Sequence, residues 1–224
     1  QGGRSGFLDE FVESEEVKER IKKYVDRMAV ILPFEKKFYQ RHDVDVDFVG
    51  NPLLDQVHAT LTPAEIKTRY NIESDATVIG IMPGSRRQEI AKLLPLFMQA
   101  AVKLNSEIKK CVFLLPLAST LVEDEINEHC RQLDRLLDIR IIKDERYAAM
   151  AACDAAMAAS GTLTMELAIL KVPMVVCYRV SLISYLLAKP FIKVKYASLV
   201  NLVAEKEVVP ELLQYKATPE NIYK

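Results

Sequence analysis

The sequence predicts an α/β fold, a Rossmann-like parallel sheet with helices on both faces. Short apolar runs alternate along the chain with longer segments that have helical periodicity. The short runs are apolar throughout instead of at every second position, which is typical of parallel strands that are covered on both faces. Because such sheets bind ligands beyond the carboxyl ends of their strands, the loops that follow the strands are the expected places for a site.

The first fifty residues are the least regular part of the pattern. Residues 26–32 are apolar enough for a buried strand, and residues 35–41 follow as a short helix. Residues 44–49 alternate valine with aspartate, which predicts a strand with one solvated face in preference to a metal site. Gly50, Asn51 and Pro52 then break the pattern, as a hinge between two domains would.

Strands and helices alternate clearly from Thr62 onwards. Thr62 and Glu65, with Pro63 between them, form the signature of a capped helix start. A strand at residues 77–82 precedes Pro-Gly-Ser, and a helix at residues 87–104 keeps its apolar side chains on one face. Further strands are predicted at residues 111–115, 139–142, 155–158 and 172–178, and further helices at residues 121–136, 147–152 and 162–170.

Composition and charge restrict the class of protein. The chain has 224 residues, half of them hydrophobic, and a net charge of −1, so no basic field argues for nucleic acid as a partner. No apolar run reaches the length of about 18 residues that indicates a transmembrane helix, and no signal peptide opens the sequence. Gln1 in first place, and a helix start at Thr218 and Pro219 close to the end, lead us to expect a chain that is cut at both ends.

The cysteines and histidines do not indicate a metal or redox site. Cys111 and Cys177 lie in apolar runs, which is typical of buried thiols, and no pair of cysteines has CxxC spacing. The histidines at positions 42, 58 and 129 have no neighbouring ligand at metal-binding spacing. We therefore expect no metal and no cofactor, and a reducing cytoplasmic environment.

The loop after the strand at residues 77–82 is the first candidate for chemistry. Gly84 allows close approach of a ligand to the backbone, Ser85 is placed to cap the next helix, and Arg86 carries a forked cation that suits phosphate. The alternative is a plain turn between a strand and a helix, with a solvated pair of arginines.

The loop after residues 155–158 is the second candidate. Ser160, Gly161 and Thr162 open a helix whose amides could hold a diphosphate. Glu166 follows one turn later on the face of Thr162, where a carboxylate could accept two ribose hydroxyls. The alternative is a solvated glutamate and a simple cap, but the remainder of this helix is apolar, and a buried carboxylate needs a partner.

Two further segments fit either a functional or a structural role. Arg179, at the end of the strand at residues 172–178, suits a phosphate or acceptor contact, or equally a surface ion pair. Residues 181–203 combine apolar residues with Lys189, Lys193 and Lys195. Such a segment fits the surface of an anionic membrane, or a helix pair packed on the core.

Six further motifs follow one another along residues 20–221. They are VDRMAVILPFEKKFY, FVGNPLLD, IMPGSRRQEI, ASGTLTMELAILKVPMVVCYR, SLVNLVAEKEVVPELLQ and ATPENI. Each alone is unspecific, whereas the six together in register are specific. As a set they resemble the lipid-A-disaccharide synthase family.

The resemblance implies that the chain is the C-terminal half of a GT-B fold, in which two Rossmann-like domains face each other across a cleft. Residues 1–48 would be a remnant of the N-terminal acceptor domain and its crossover. Residues 49–224 would be the C-terminal nucleotide-sugar-binding domain, truncated at its end. The remnant would expose apolar surface and could drive association into a homodimer.

The resemblance also implies an inverting glycosyltransferase that joins UDP-2,3-diacylglucosamine to 2,3-diacylglucosamine 1-phosphate. The products are lipid A disaccharide 1-phosphate and UDP, and the family needs no metal cofactor. The expected place is the cytoplasm, peripherally on the inner face of the inner membrane. The fragment alone is expected to be inactive, because the catalytic residues of the family belong to the N-terminal domain and no base can be matched here.

Individual site residues follow from the matched motifs. Ser85 and Arg86 would bind the UDP diphosphate, with Ser160, Gly161 and Thr162 lining the same site and Glu166 holding the ribose. Asn201 falls where the family has Leu-Pro-Asn, although this sequence has Leu-Val-Asn. The residues that the resemblance and the spacing select for UDP-sugar binding are Ser85, Arg86, Ser160, Gly161, Thr162, Glu166, Arg179 and Asn201.

Two alternatives to the transferase stay open from the sequence. UDP-N-acetylglucosamine 2-epimerases share the fold and a similar diphosphate helix, but they need no acylated acceptor. A non-catalytic module that binds UDP-sugars is the second alternative. The amphipathic segment at residues 181–203 favours a lipid-handling transferase over a soluble epimerase.

Overall fold

Six parallel strands form the main sheet of this computed structural model, which describes residues 15–41, 43–117, 136–180 and 195–224. The strands are β3 (Thr77–Met82), β4 (Cys111–Pro116), β5 (Asp138–Ile142), β6 (Ala155–Ala159), β7 (Met174–Tyr178) and β8 (Glu211–Leu213). Their order in the sheet is β5-β4-β3-β6-β7-β8, and every neighbouring pair is parallel. The predicted Rossmann-like α/β fold is confirmed.

The order of the strands reverses between β3 and β6, which are neighbours in the sheet but distant in the chain. From β3 the chain proceeds outwards through β4 and β5, and from β6 it proceeds in the other direction through β7 and β8. In an open parallel sheet such a reversal leaves a crevice at the carboxyl ends of the two strands. The turns after Met82 and Ala159 both lie there.

Helices cover both faces of the main sheet. The described helices are α1 (Glu15–Tyr24), α2 (Pro33–Gln40), α3 (Leu53–Gln56), α4 (Pro63–Arg69), α5 (Arg87–Glu107), α6 (Arg146–Ala151), α7 (Thr162–Ile169), α8 (Leu199–Ala204) and α9 (Pro219–Tyr223). One buried apolar cluster joins the sheet to α5 and α9, with Phe97 and Phe113 fully buried in it. A second cluster, on the other face, contains Ile66 of α4, Met150 of α6 and Leu167 of α7.

Local capping explains where several helices begin. The Thr62 hydroxyl accepts from the Glu65 amide, and the Glu65 carboxylate accepts from the Thr62 amide, so the predicted capping box is confirmed. Thr218 caps α9 in the same position relative to Pro219, also as predicted. Pro at the first position of these helices has no amide hydrogen to lose, and its backbone angle already suits the helix.

A small parallel pair of strands, β1 (Ala29–Val30) and β2 (Asp47–Phe48), precedes the main sheet. Both are shorter than the predicted strands at residues 26–32 and 44–49. Val44 and Val46 are buried beside Val30, while Asp45 and Asp47 are exposed, so the predicted solvated face is confirmed.

Some expectations differ from the structure or lie outside it. The predicted helix at residues 121–136 falls almost wholly outside the described residues, as do residues 181–194 of the amphipathic segment. β8 was not predicted, because Glu211–Leu213 is too short to carry a pattern. In the described ranges, no helix has the length and apolar character needed to cross a bilayer.

Three cysteines, Cys111, Cys153 and Cys177, are buried free thiols, which confirms the prediction for Cys111 and Cys177. Cys130 lies outside the described residues. Burial raises the pKa of Cys153 and of Cys177 to about 12, so neither thiol provides a nucleophile near neutral pH.

Candidate functional site

A pocket of about 400 Å³ opens at the carboxyl ends of β3, β4 and β6, at the reversal of strand order. Its walls come from both candidate loops, from the first turn of α6 and from the segment before α8. Its lining residues include Gly84, Arg86, Arg146, Ser160, Gly161 and Thr162. The fold therefore brings together two turns that are 76 residues apart in the chain.

The turn after β3 depends on Gly84, which has a φ of 104°. A Cβ atom at this position would lie 2.5 Å from Glu89 Oε2 and 3.3 Å from the Ala159 Cβ. Both the backbone angle and the available space therefore favour glycine. The turn brings Ser85 and Arg86 to the rim of the pocket as exposed side chains.

The helix after this turn begins without a side-chain cap. Its N-cap is Arg86, whose side chain makes no capping hydrogen bond to a backbone amide of the first turn. The expectation that Ser85 caps α5 is therefore wrong, because the helix begins at Arg87 and its N-cap position falls on Arg86, one residue after Ser85. Ser85 lines the pocket instead.

Arg86 is paired weakly in this structure. Its Nη1 atom lies 2.9 Å from Glu89 Oε1, and its side chain is 82% exposed. Exposed ion pairs of this kind contribute about 0–1 kcal/mol. The guanidinium can therefore exchange Glu89 for a phosphate group in the pocket at little cost.

The turn after β6 presents the N-terminus of α7 to the pocket. Gly161 is the N-cap, with a φ of 138°, and no side chain caps the helix. Thr162 is exposed at the first helical position, while the Thr164 hydroxyl donates to the Gly161 carbonyl at 2.8 Å. The uncapped first turn lines the pocket, which is the arrangement that binds anions at helix N-termini.

Ser160 connects this turn to the segment before α8. Its hydroxyl donates to the Ala197 carbonyl at 2.8 Å, and its amide donates to the Cys177 carbonyl at 3.0 Å. Ala197 and Leu199 both line the pocket. Ser160 thus fixes one wall of the pocket, with its hydroxyl hydrogen already donated within the protein.

Glu166 is a buried carboxylate with a cationic partner. It is 7% exposed, and its Oε2 atom lies 2.5 Å from Nη2 of Arg146, the first residue of α6. The expectation that this carboxylate needs a partner is confirmed. Sequence reasoning did not find Arg146, since it lies twenty residues upstream on another helix and belongs to no recognisable motif.

A second pocket, of about 280 Å³, lies against Glu166. Thr162 and Leu199 line both pockets, so the two cavities adjoin at the start of α7. The remaining wall of the second pocket comes from the N-terminal part of the chain, from Ile31, Leu32, Asn51, Pro52 and Leu53. Glu166 therefore faces a cleft between α7 and the segment that precedes the main sheet.

The last two predicted site residues lie elsewhere. Arg179 is exposed beyond the end of β7 and lines neither of these pockets. Asn201 is fully buried; its Nδ2 donates to Val209 O and Glu211 Oε1, and its Oδ1 accepts from the amides of Val208 and Val209. Both amide hydrogens and both lone pairs are used, so in this conformation Asn201 supports the pocket wall and has no capacity left for a ligand.

Among the described residues, no group of three or more His, Cys, Asp or Glu side chains could hold a metal ion. The cations of the main pocket are Arg86 and Arg146, the second of which is already neutralised by Glu166. The uncapped helix start and Arg86 are thus the groups that remain for an anionic ligand.

Solved structures share this fold at low sequence identity. The UDP-GlcNAc 2-epimerase of Methanocaldococcus jannaschii, in complex with UDP-GlcNAc and UDP, superposes with a TM-score of 0.60 and 14% identity, covering 99% of this chain and 58% of that one. The ADP-heptose lps heptosyltransferase II of E. coli superposes with a TM-score of 0.52 and 15% identity, covering 72% and 48%. These similarities show the fold alone.

Sequence comparisons are more specific. The lipid-A-disaccharide synthase of Syntrophus aciditrophicus is 46% identical over 198 residues, which cover 88% of this chain and 51% of that protein. The synthase of Trichlorobacter lovleyi is 40% identical over 203 residues, covering 91% and 52%. The chain thus spans about half the length of these curated relatives. The model of the lipid-A-disaccharide synthetase family matches residues 13–224. This chain therefore belongs to the lipid-A-disaccharide synthetase family.

Proposed function

We propose that this chain is the UDP-sugar-binding half of a hexosyltransferase of lipid A biosynthesis. The proposed reaction joins UDP-2,3-diacylglucosamine to 2,3-diacylglucosamine 1-phosphate and releases lipid A disaccharide 1-phosphate and UDP. The observation that carries the proposal is the convergence of the uncapped α7 start, Arg86 and the Glu166 carboxylate around two adjoining pockets. The relatives at 40–46% identity support the choice of reaction.

The diphosphate of the donor fits the N-terminus of α7. The Thr164 amide donates to the Gly161 carbonyl, so the two amides before it, of Thr162 and Leu163, would face the anion. Together with the helix dipole they stabilise an anion by roughly 0.3–1 kcal/mol per charge when exposed, and by more in a partly buried site. Gly161 leaves this approach open, because no atom lies within 4 Å of where its Cβ would be. Arg86, released from Glu89, supplies the counter-charge from the opposite rim.

The ribose of the donor fits against Glu166. A carboxylate has two oxygens with about four acceptor sites, and Arg146 contacts only Oε2. The other oxygen remains for the ribose hydroxyls, from the side of the second pocket. Thr162 lines both cavities and so lies between the proposed diphosphate and ribose positions.

The chemical contribution of this half is stabilisation of the leaving group. In an inverting transfer, the acceptor hydroxyl attacks the anomeric carbon, loses its proton to a base and displaces UDP from the opposite side. Negative charge grows on the departing diphosphate, where the α7 amides and Arg86 would stabilise it. The base is assigned to a complementary N-terminal half, because no residue of this chain matches it.

The proposed place of action is the cytoplasmic face of the inner membrane, where the protein associates peripherally. Both substrates carry acyl chains, so an enzyme that joins them must reach lipid at the membrane surface. The amphipathic segment at residues 181–203 is proposed as the membrane contact, although residues 181–194 lie outside the described structure. We also propose that the chain forms a homodimer through residues 1–48.

A transfer assay tests the proposal. The chain is incubated with radiolabelled UDP-2,3-diacylglucosamine and 2,3-diacylglucosamine 1-phosphate, with and without a separately supplied N-terminal half from a relative. We expect no disaccharide from the chain alone and disaccharide plus UDP from the combination. The same combination with Glu166→Ala serves as the matched control and should lose most of the activity.

Two outcomes would contradict the proposal. One is conversion of UDP-N-acetylglucosamine to its 2-epimer by the chain or by the combination, which would favour the epimerase alternative. The other is UDP-sugar binding without any transfer in the combination, which would favour a non-catalytic module.

A further inference from the structure

Arg146 bridges two helices at the boundary between the two pockets. It is the first residue of α6, and its guanidinium reaches Glu166 in the second turn of α7 at 2.5 Å. Their side chains are 30% and 10% exposed, so the pair is largely removed from water. Charge-assisted contacts of this kind between partly buried groups are strong and directional.

The two residues of the ion pair line different pockets. Arg146 lines the main pocket, whereas Glu166 lines the second one. A ligand that spans both cavities would therefore meet the pair in the middle, with the Glu166 oxygen that Arg146 does not contact left for its hydroxyl groups.

The backbone ahead of Arg146 is held in an unusual conformation. Glu145 has a φ of 56° and a ψ of 38°, the left-handed region that residues with side chains seldom adopt. Its carboxylate accepts from the Thr60 hydroxyl at 2.5 Å and lies 3.4 Å from Arg69 Nη1. These contacts from α4 and the loop before it set the direction in which α6 begins, and so the direction of the Arg146 side chain.

The guanidinium is restrained on a further side by an aromatic ring. The Arg146 Cζ atom lies 5.3 Å from the centroid of the Tyr147 ring, within the range of a cation–π contact. Because a guanidinium is planar and its donors form a rigid fork, fixing its plane also fixes the carboxylate that it holds.

We propose that Arg146 is a positioning residue of the nucleotide site, which orients the Glu166 carboxylate so that its remaining oxygen receives the ribose hydroxyls. This inference rests on the proposed function, since it takes UDP as the ligand. Arg146 acts through Glu166, and its effect is therefore on the recognition of the ribose hydroxyls and not on the fold as a whole.

The readout is the ratio of the affinities for UDP and 2′-deoxy-UDP, measured by calorimetric titration of the full chain. For the unsubstituted chain we expect UDP to bind roughly 10- to 100-fold more tightly, the equivalent of one hydrogen bond to a charged group. Arg146→Met should bring the ratio close to one. Arg146→Lys keeps the charge without the fork and should give an intermediate ratio.

The matched control is Arg140→Met. This variant also loses an ion pair between an arginine and a carboxylate, here with Asp138, but Arg140 lines neither pocket and does not contact α6 through Glu145. We expect its UDP to 2′-deoxy-UDP ratio to stay within about twofold of the unsubstituted chain, a difference well below that of one hydrogen bond.

A double variant keeps the test valid if Arg146→Met destabilises the protein by leaving Glu166 unpaired. Glu166→Gln/Arg146→Met carries no unpaired charge at this position, and Glu166→Gln leaves only the Arg146 guanidinium, which is 30% exposed, without its carboxylate. The folding of both variants is checked by circular dichroism. If Arg146 acts through the carboxylate, these two variants should have the same low ratio. Additional loss in the double variant would show that Arg146 acts on its own and would overturn the proposal.

The remaining outcomes distinguish a failure of the proposed function from a failure of the role of Arg146. No UDP binding by the folded, unsubstituted chain would contradict the proposed function itself. UDP binding with full discrimination in a folded Arg146→Met or Arg146→Lys variant would overturn the role of Arg146 alone. A ratio near one in the unsubstituted chain would overturn the ribose role of Glu166 and, with it, that of Arg146.

Discussion

Asn201 in α8 and Glu211 in β8 are joined by a hydrogen bond of 2.8 Å, from Nδ2 to Oε1. The same carboxylate accepts from the amides of Ala197 and Ser198, at 2.7 and 2.9 Å. Ala197 in turn receives the Ser160 hydroxyl on its carbonyl oxygen. The edge strand of the sheet is thereby connected to the turn that opens α7, and the wall of the pocket is held between them.

This network predicts that Asn201→Ala destabilises the chain. The change removes the part-buried hydrogen bonds to the Val208 and Val209 amides and to the Val209 carbonyl, each of which typically contributes about 0.5–1.5 kcal/mol. Urea unfolding measures the loss. Asn105→Ala is the control, because Asn105 makes a single exposed bond to the Leu136 carbonyl and should cost much less. Equal losses in the two variants would contradict the supporting role of Asn201.

Gly84→Ala is expected to affect both stability and ligand binding. The positive φ costs about 1–3 kcal/mol for a residue with a side chain. The new Cβ also displaces Glu89, whose Oε2 atom lies 2.5 Å from its position, and so alters the rim that carries Arg86. Thermal unfolding and UDP titration check the two effects.

Gly50→Ala is the matched control for this change. Gly50 has a φ of 82° but open space around its Cβ position, and it does not line the main pocket. We expect a similar loss of stability with unchanged UDP affinity. A Gly84→Ala variant that binds UDP as well as Gly50→Ala does would show that the turn does not shape the site.

Arg86→Ala should weaken the binding of UDP but not that of uridine. The exposed guanidinium is expected to exchange Glu89 for the diphosphate, a gain of about tenfold in affinity for one charge-assisted contact. Arg87→Ala is the control, since Arg87 is exposed and does not line the pocket. An equal loss of uridine and UDP affinity in Arg86→Ala would show that the substitution changes the shape of the pocket and does not remove a contact with the diphosphate.

The buried thiol of Cys153 predicts a loss of stability in alkali. Burial raises its pKa from 9.0 to about 12, so the folded chain keeps the proton while the unfolded chain releases it. The stabilisation is complete below pH 9 and falls by about 1.4 kcal/mol per pH unit as the pH rises from 9 towards 12. In urea titrations between pH 9 and 11, Cys153→Ala should therefore have a shallower slope than the unsubstituted chain. Parallel slopes would mean that the thiol does not contribute.

Much of the fold followed from local pattern. The strand at residues 77–82 has the predicted bounds, because its apolar run ends sharply at Pro83. The capping box at Thr62 and the start of α7 at Thr162 are encoded within four residues each. Such short patterns can be recognised in a single sequence, because at these two places the tertiary contacts do not override the local preference.

The parts that could not be predicted depend on contacts between distant elements. Arg146 reaches Glu166 only because α6 and α7 lie side by side at the pocket, whereas the two residues are twenty apart in the chain. The position of Asn201 follows from β8, whose three residues have no periodicity to detect. Ser85 does not cap α5 because the N-cap position falls on Arg86, and a sequence pattern does not fix a helix start to the single residue.

Titration of the chain with UDP, with GDP as the control, shows whether this chain contains the donor site. We expect UDP to bind and GDP not to bind. We also expect Glu166→Ala, shown to be folded, to bind UDP more weakly by roughly 1.5–3 kcal/mol, through the loss of hydrogen bonds to a charged group. No UDP binding by the folded chain, or an unchanged UDP affinity in Glu166→Ala, would contradict the assignment of the donor site to this chain.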